Sequence, residues 1–555
     1  MKKNYFKLFP IVLLLLALPV GVYVVTRNFS IGDVRNRASG EDVFVTIDPS
    51  TTNASVGYGA HLNLHPDPTH RLSWAFPIMA DPDNPNHPSY KQNYIQQGFS
   101  YFRTGLEHTN LDWTIPENRQ KIHDTLDYAQ ETGSDVIWIM NIFGVLDPSG
   151  QIPYSDPAGN DVPFRPKIGD LDDPDDEYGI VDFVQEFTIE RKQRGKSYIK
   201  YYELGNEEWG VVNNTTGAYL TPIEYIDAAK QISTAIREVA REDSEVAQSV
   251  KILGVSNISL ADGYGGTAVP YGDGTFIVWG AQEYADNADY FDYVTYHGYW
   301  HDRWASQTPV GDSLLSLTSF TQERISMYKE FFPNTPKFQI PAITEWNLYC
   351  WNYTSGNNLP DRAAQTFEHT LYNLGFIITA LNNNVPFTIF HNYVPIDCTE
   401  SGQYTDRKCC CSSISLTQTA GTEYESNPAG YAFELLQEHF GLTYISTTVD
   451  TPLMSIGDFS DIPAIMGGSS KNAEGTKLYT ILINRKPYVT QNPDDPQNSL
   501  STNISINGHD GLVTYTPYTL KAPDFTSSMD NIQLSPLPRP EGRGFGLGRG
   551  ILATG

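Results

Sequence analysis

Three features of the 555-residue sequence predict a (β/α)8 barrel, a TIM barrel, followed by a β-sandwich. Strand-like and helical segments alternate from residue 56 to residue 391. The glycine-rich phosphate turn that opens many doubly wound sheets is missing from this region. After residue 441 short strand-like segments follow one another, separated by turns rich in Asn, Asp, Gly and Pro. The fold class is therefore α/β with a C-terminal β domain.

Eight segments are candidates for barrel strands, and most carry apolar residues on both faces, as strands buried on both sides do. They are residues 56–62, 100–105, 135–141, 199–205, 250–256, 291–297, 338–344 and 386–391. Helical patterns fill the gaps between them. The clearest begins at Thr221-Pro222, which combines a capping hydroxyl with proline at the first helical position.

Changes in composition divide the chain into six parts. The predicted parts are a signal anchor or signal peptide (1–27), a linker (28–42), a strand that joins the β-sandwich (43–54), the catalytic barrel (55–441), the β-sandwich (442–535) and a disordered tail (536–555). Long connections follow the third, seventh and eighth strands. In a barrel of this type they project from the face on which active sites are built.

The N-terminal segment predicts export. Lys2, Lys3 and Lys7 precede 19 uncharged residues from Leu8 to Thr26, about the length needed to span a bilayer core. No small-x-small cleavage signature follows the run, which favours an uncleaved transmembrane anchor over a removed signal peptide. The protein is then membrane-anchored through this helix with its catalytic domain outside, or secreted. The net charge of −28 repels phosphate backbones and argues against a nucleic-acid partner.

The five cysteines all lie within about sixty residues of one another, which suits an oxidising compartment. They are Cys350, Cys398, Cys409, Cys410 and Cys411. We expect one or two disulfides among them, in a connectivity that the sequence leaves open. A zinc site is less consistent with the pattern because no histidine joins the cysteines at ligand spacing. Neither a metal nor a cofactor is predicted.

Two glutamates at strand ends are the candidate catalytic residues. In the stretch Tyr201–Gly210, Glu203 lies mid-strand and needs a buried partner such as Arg103, whereas Glu207 follows the strand at the barrel mouth. Glu345 ends the seventh strand. A retaining glycoside hydrolase holds two such carboxyl groups about 5 to 5.5 Å apart, one as acid/base and one as nucleophile.

The sequence motifs around these glutamates resemble those of a known family. Glu-Leu-Gly-Asn-Glu (203–207), Glu-Trp-Asn (345–347) and His-Gly-Tyr (297–299) look most like the family 51 α-L-arabinofuranosidases, which belong to a large clan of retaining (β/α)8 glycoside hydrolases. The resemblance covers residues 43 to 520 and implies a barrel packed against a β-sandwich that includes an early strand. It also implies that Glu207 is the acid/base and Glu345 the nucleophile.

The same resemblance suggests roles for substrate-binding residues. Asn206 would hydrogen-bond the sugar 2-hydroxyl, Tyr299 would donate to the nucleophile, and Asn141 matches a strand-three asparagine near the substrate. His297 would contact the substrate or support Tyr299. Trp346 is a candidate for a sugar subsite, although core packing is an equal alternative.

Two positions depart from the family pattern. Asn63 stands where the family has a substrate-binding glutamate on strand one. The Gly-Gly-Asn that follows strand two in the family is missing after Arg103, which we also place among the substrate-binding residues.

The sequence therefore predicts an exported retaining glycosidase that acts on an oligosaccharide or polysaccharide, with α-L-arabinofuranosidase as the leading specificity. β-Xylosidase, β-glucuronidase and endo-glucanase activities remain open within the same clan, because fold and catalytic pair do not separate them. A surface protein that binds carbohydrate without hydrolysing it is a further alternative. The oligomeric state is not determined by the sequence.

Overall fold

The computed structural model describes most of the chain between Val43 and Thr554. The described ranges are 43–52, 57–61, 87–105, 112–155, 161–162, 164–170, 178–260, 269–271, 274–301, 312–349, 367–391, 393, 395–396, 416–420, 423–440, 443–456, 459–485, 502–508, 515–521, 533–536 and 548–554. Residues 1–42 lie outside them, so the predicted anchor does too. Within the described ranges, no helix combines the length and the apolarity needed to cross a membrane.

Eight parallel strands close into a barrel, and each overlaps one of the eight predicted segments. In chain order they are Gly57–His61, Tyr101–Gly105, Asp135–Met140, Tyr201–Leu204, Lys251–Gly254, Tyr293–His301, Ala342–Tyr349 and Phe387–Phe390. We refer to them as strands one to eight. The predicted TIM barrel is confirmed.

The helices of the described chain alternate with these strands. They are His87–Gln96, Pro116–Thr132, Phe143–Leu146, Ile180–Val184, Arg191–Gln193, Pro222–Ala240, Ser244–Ser249, Ala281–Asp286, Asp312–Phe331, Phe367–Asn382 and Pro428–His439, with a π-helical stretch at Gln185–Glu190. Pro222–Ala240 begins as its sequence predicts. The Thr221 hydroxyl accepts from the Glu224 N–H, and the Glu224 carboxylate accepts from the Thr221 N–H.

Side-chain alternation along the strands produces two different layers. Residues that face inward at the N-terminal end of the barrel are apolar and fill it: Ile137, Leu253, Ala342, Phe387 and Ile389. Residues that face outward pack against the helices and belong to the main core. Because the N-terminal end is filled, polar groups inside the barrel are left for the C-terminal end, where active sites of this fold occur.

The chain beyond the barrel forms a sheet domain. Eight strands are ordered Thr502–Ile506, Val43–Asp48, Thr443–Asp450, Ile465–Lys471, Leu478–Asn484, Gly548–Thr554, Tyr515–Lys521 and Gln533–Pro536. Leu453–Ile456 and Phe459–Pro463 form a separate two-stranded sheet. Shorter strands beside the barrel are Tyr154–Ser155, Val212–Asn213, Ala218–Tyr219, Ile258–Leu260, Val269–Tyr271, Gly274–Val278, Pro395–Ile396, Leu416–Ala420 and Glu423–Ser426. The arrangement of the C-terminal region as two facing sheets stays a prediction.

The early strand Val43–Asp48 lies inside this sheet, where the sequence places it. It pairs antiparallel with Thr443–Asp450 and parallel with Thr502–Ile506. Its alternate residues Val43, Val45 and Ile47 are buried, because they face the apolar side of the sheet. The strand thus joins the beginning of the described chain to the sheet that its C-terminal part forms.

One segment of the predicted disordered tail differs from expectation. Gly548–Thr554 is a strand that pairs in parallel with Leu478–Asn484 and Tyr515–Lys521. Its apolar Ile-Leu-Ala sequence at 551–553 suits a central strand. The glycine and arginine residues around this short sequence give the segment the overall composition of a disordered tail. Residues 537–547 and 555 lie outside the described chain.

Candidate active site

Arg103 organises the interior of the barrel at its C-terminal end. It lies on strand two, and its side chain is fully buried. Its Nε donates to Glu203, one terminal nitrogen donates to Glu345 Oε1 at 2.5 Å, and the other donates to Asn206 Oδ1 at 2.5 Å. Because a guanidinium has a planar fork of donors, this one side chain fixes groups from strands four and seven and from the turn after strand four.

Glu203 is a structural member of this group. Besides Arg103, it accepts a hydrogen bond from Thr344 Oγ1 at 2.8 Å, and it is fully buried. A buried carboxylate with a salt bridge and a hydroxyl donor is compensated for the loss of water. The pairing of Glu203 with Arg103 agrees with the role that strand position assigns to Glu203 in the sequence.

An irregularity in strand seven brings Glu345 into the site. Opposite strand six, Tyr296 pairs with Ile343 and His297 pairs with Glu345, so that Thr344 is an extra residue. Thr344 contacts Glu203 and the next residue, Glu345, contacts Arg103, which means that two consecutive side chains face the barrel interior. A regular strand would turn one of them outward. Bulges of this kind often aim side chains at active sites.

The amide of Asn206 is oriented by Arg103. A guanidinium can only donate, so the oxygen of Asn206 must face it and the amide nitrogen points elsewhere. Asn206 is almost fully buried, and Arg103, its partner, also donates to Glu345. The arrangement leaves an N–H donor fixed next to the two candidate catalytic glutamates.

The turn that carries Asn206 and Glu207 has an unusual backbone. Gly205 has φ 92° and Glu207 has φ 55°, both in the left-handed region, where a side chain other than glycine is disfavoured. The buried carboxylate of Glu208 lies inside the turn and accepts the Asn206 N–H at 3.0 Å. A Cβ atom on Gly205 would lie 2.0 Å from Glu208 Oε1. Backbone strain is common at catalytic positions, and it persists only where the surrounding contacts, here those of Glu208, stabilise the strained conformation.

His297 lies between the two catalytic candidates. Its Nδ1 is 2.8 Å from Glu207 Oε1 and 3.5 Å from Glu345 Oε2. Ligand atoms of these three residues all lie within 4.8 Å of one another, so the two carboxylates approach each other to less than that distance. The imidazole is buried, and the ring of Trp209 packs edge-on against it at a centroid distance of 5.2 Å.

Positive groups keep Glu345 ionised. Burial alone would raise the pKa of its carboxyl, but His297 and Arg103 together lower this pKa well below its ordinary value. A carboxylate that is charged throughout the neutral range is what a nucleophile requires.

The pKa values of the three histidines of the site are shifted in different directions. Burial lowers the pKa of His297, but the charges of Glu345 and Glu207 outweigh it and the net shift is upward. Burial and the charge of Arg103 lower the pKa of His61 well below its ordinary value. The pKa of His391 is lowered by burial against the opposing charge of Glu345. Of the three imidazoles, His297 is therefore the one whose surroundings favour the protonated form.

Asn141 and Trp346 both make structural contacts in the described chain, and the predicted contact of Asn141 with substrate stays a prediction. The amide of Asn141 donates to the Phe164 carbonyl at 2.9 Å and accepts from the Phe143 N–H at 2.9 Å, so it holds the loop after strand three. Trp346 points outward, is fully buried and stacks on Phe376 with ring centroids 3.9 Å apart. Of the two alternatives left open for Trp346, this geometry supports core packing, because its strand position puts the ring between barrel and helices.

Several predicted residues lie outside the described chain. They are Asn63, the side chain of Tyr299, and the five cysteines Cys350, Cys398, Cys409, Cys410 and Cys411. In contrast, Thr344 and Glu208 have structural roles at the site that strand counting does not reveal. The sequence signal for His61 and His391 is only their position at strand ends, yet both lie beside Glu345.

Two groups of described side chains have ligand atoms close enough to hold a metal ion: His61 with Glu345 and His391, and Glu207 with His297 and Glu345. Both groups share Glu345, whose Oε1 already accepts a hydrogen bond from Arg103. The guanidinium charge at this distance opposes a second cation. The arrangement fits a carboxylate pair better than a metal centre.

Comparison with known proteins gives matches of structure only. No protein-family model matches the chain, and neither does any curated protein. A solved arabinofuranosidase structure matches with a TM-score of 0.59 at 16% identity, over 89% of this chain and 95% of that one. A family 51 α-L-arabinofuranosidase from Bifidobacterium longum matches with a TM-score of 0.60 at 13% identity, over 91% and 97% of the two chains.

A thermostable family 51 α-L-arabinofuranosidase from Thermotoga petrophila also matches, with a TM-score of 0.58 at 15% identity, over 89% of this chain and 95% of that one. The chain has the family 51 fold. The resemblance that the Asn-Glu and Glu-Trp-Asn motifs suggest thus extends over nearly the whole length of these structures. Within the family 51 fold, identities this low leave the activity to be argued from the site itself.

Proposed function

We propose that the protein is a retaining glycoside hydrolase in which Glu207 is the acid/base and Glu345 the nucleophile. One observation carries the proposal: two carboxylates on the C-terminal face of a (β/α)8 barrel approach within 4.8 Å, each held by a buried partner. Carboxyl groups of retaining enzymes are about 5 to 5.5 Å apart, whereas inverting enzymes separate them by about 6.5 to 9.5 Å to admit a water molecule.

The first half of the reaction is a displacement at the anomeric carbon. Glu345, ionised and aimed by Arg103, attacks this carbon while Glu207 protonates the leaving oxygen. The carbon–oxygen bond to the leaving group breaks and an ester bond to Glu345 forms. Asn206, with its N–H fixed by Arg103, donates to the hydroxyl on the neighbouring carbon, a contact that strengthens as positive charge develops on the sugar.

The second half of the reaction releases the sugar. Water enters the place of the leaving group, and Glu207, now a carboxylate, accepts its proton. The water oxygen attacks the anomeric carbon and Glu345 departs with the electron pair of the ester bond. Two inversions give a product with the configuration of the substrate.

The family 51 fold supports α-L-arabinofuranosides on an oligosaccharide or polysaccharide as the substrate class. β-Xylosides, β-glucuronides and β-glucans are the alternatives, because the catalytic pair does not distinguish them. The basic N-terminus and the apolar run after it support an exported enzyme, anchored or secreted.

A panel of 4-nitrophenyl glycosides tests the proposal. The purified chain is expected to release nitrophenol from the α-L-arabinofuranoside, and Glu345→Ala is expected to lose more than about 10³-fold in kcat. Glu207→Ala should lose less with this activated leaving group, and added azide should partly restore its turnover by replacing water. Turnover of another glycoside alone would overturn the arabinofuranoside assignment.

Product stereochemistry and binding complete the test. Proton NMR during the first minutes of hydrolysis should show the retained anomer. An inverted product would contradict the roles of both glutamates. A chain that binds oligosaccharides but hydrolyses none of them would be a carbohydrate-binding protein instead.

A further inference from the structure

His297 has a position that neither glutamate's role explains. The same nitrogen, Nδ1, is 2.8 Å from the acid/base candidate Glu207 and 3.5 Å from the nucleophile candidate Glu345. An imidazole reaches both carboxylates with one proton only if that proton is on Nδ1. The two glutamates are therefore connected through a titratable group, and each senses its charge.

The surroundings of His297 decide where this proton resides. Glu345 and Glu207 face it with negative charge, and Arg103 faces it with positive charge. Of the other titratable groups in the described part of the site, His61 and His391 have pKa values that burial and the charge of Arg103 lower. The buried carboxylate of Glu203 is paired with Arg103, and that of Glu208 accepts the Asn206 N–H. Trp209 covers the imidazole on another side without adding a charge. Two carboxylates against one guanidinium favour the imidazolium form.

We propose that His297 stores the catalytic proton: in the free enzyme the proton is on His297 Nδ1, and it passes through Glu207 to the leaving oxygen. This inference rests on the proposed glycosidase function. It makes His297 a catalytic residue of a three-residue relay instead of a substrate contact or a support for Tyr299.

The relay balances in both half-reactions. In the first, the Nδ1 proton moves to the Glu207 carboxylate and from Glu207 to the leaving oxygen. The bond from this oxygen to the anomeric carbon breaks while the bond from Glu345 to that carbon forms. His297 becomes neutral. In the second, water gives a proton to Glu207 and its oxygen to the anomeric carbon, the ester bond to Glu345 breaks, and the proton returns to Nδ1.

The charge of Glu345 provides the timing. It is the largest influence that raises the pKa of His297, and it disappears when Glu345 becomes an ester. The imidazolium is then less stable at the moment when the leaving oxygen needs the proton. When the ester is cleaved the carboxylate returns and His297 regains its proton. The nucleophile thus controls the acid through the histidine between them.

NMR titration locates the proton without requiring turnover. In full-length protein labelled with ¹⁵N-histidine, the His297 signal is identified by its loss in His297→Asn. It is expected to titrate above the ordinary histidine range in the wild type. In Glu345→Gln, which imitates the neutral ester, the transition should move to lower pH. A His297 signal that is neutral at about pH 6, or that Glu345→Gln leaves unchanged, would overturn the relay.

Leaving-group dependence tests the relay during catalysis. His297→Asn keeps an N–H near Glu207 but cannot hold a mobile proton. It should lose about 10²-fold or more in kcat/KM with a natural arabinoside, and much less with a dinitrophenyl glycoside, whose leaving group needs no proton. A merely structural role would slow both substrates equally, and that result would contradict the proposal.

His123→Asn is the matched control. His123 also contacts a glutamate, with Nε2 2.8 Å from Glu186, but it lies on the helix Pro116–Thr132 outside the barrel. The His123→Asn variant should hydrolyse the natural arabinoside and the dinitrophenyl glycoside at wild-type rates. A wild type that hydrolyses no glycoside would refute the glycosidase function, whereas an active wild type with equal losses in His297→Asn would refute the relay alone.

Discussion

Two residues of the catalytic turn have backbone conformations that most side chains disfavour. Gly205 and Glu207 both have positive φ, within three residues of one another. The turn places Asn206 and Glu207 at the barrel mouth and encloses the carboxylate of Glu208. Catalytic geometry therefore depends on a glycine that touches no substrate.

Gly205→Ala should remove activity. The new Cβ would meet Glu208 Oε1 at 2.0 Å and would also carry the cost of positive φ, about 1 to 2 kcal/mol. Either the turn or the Glu208 side chain that holds the Asn206 N–H must shift, and a displacement of about 1 Å at a catalytic group can lower the rate about 10²-fold. Initial rates on the active glycoside measure this loss.

Gly133→Ala is the control that separates the collision with Glu208 from the energetic cost of positive φ. Gly133 has φ 70° at a helix end, and no atom lies within 4 Å of the position its Cβ would take. The two variants should be destabilised similarly by positive φ, yet only Gly205→Ala should lose activity. Equal activities would contradict the role assigned to the turn.

Glu345 should make stability depend on acidity. Its pKa is lowered in the folded protein, so its ionised form stabilises the fold above the ordinary carboxyl pKa, and this contribution disappears as pH falls through the folded value. Between about pH 5 and pH 3 the wild type should lose more unfolding free energy than Glu345→Gln does. Urea unfolding at several pH values measures the difference. Parallel pH dependences would contradict the lowered pKa.

At the scale of single elements, a bulge and a helix cap are the two features that determine local geometry. The bulge makes Thr344 and Glu345 both face the barrel interior. The cap starts the helix Pro222–Ala240, which has a long buried side. Tyr225 of this helix donates its hydroxyl to the Leu204 carbonyl at 2.8 Å, next to the catalytic turn.

Thr344→Val should destabilise the protein by about 1 to 3 kcal/mol, because Glu203 Oε1 loses a buried hydrogen-bond donor. Thr388→Val is the matched control on strand eight. The buried Thr388 hydroxyl has no hydrogen-bond partner in the described part of the chain, so its removal should be neutral or stabilising. Thermal unfolding compares the two, and equal effects would argue against the contact with Glu203.

Thr221→Ala should cost about 1 kcal/mol of stability without changing activity, since it removes a capping box. Thr234→Ala lies on the exposed side of the same helix, where its hydroxyl bonds only to the Lys230 carbonyl. Alanine is the better helix former, so this variant should be unchanged or slightly more stable. Loss of stability in both would show that the cap is not the cause.

At the scale of the whole molecule, the strand Val43–Asp48 joins the beginning of the described chain to the C-terminal sheet. Val45 is fully buried opposite Val449 and Ile504. Val45→Ala should lower the free energy of unfolding by about 2 kcal/mol, whereas Phe44→Ala, on the half-exposed opposite face, should cost less despite the larger truncation. Denaturant unfolding of both variants tests the ranking. The reverse order would contradict the position of this strand.

The barrel could be predicted from sequence because buried parallel strands are apolar on both faces and alternate with helices of clear period. Glu207, Glu345 and the Arg103–Glu203 pair follow from strand ends and alternation. The bulge at Thr344 does not, because it depends on pairing with strand six. Trp346 was open to two interpretations for the same reason, since a tryptophan suits a sugar subsite and a core equally well until its neighbours are known.

The imidazole between the two carboxylates also bears on inhibitors. A cationic iminosugar places an ammonium where the anomeric carbon would be, beside Glu345, and there it meets the positive charge of His297. For an inhibitor whose amine is more basic than His297, this repulsion ends as pH rises through the elevated pKa of His297, while the amine stays charged. Such compounds should bind more tightly in mildly alkaline solution, and neutral lactone analogues, which lack the charge, should not share that dependence. Medicinal chemistry on this pocket would begin from the protonation state of a histidine.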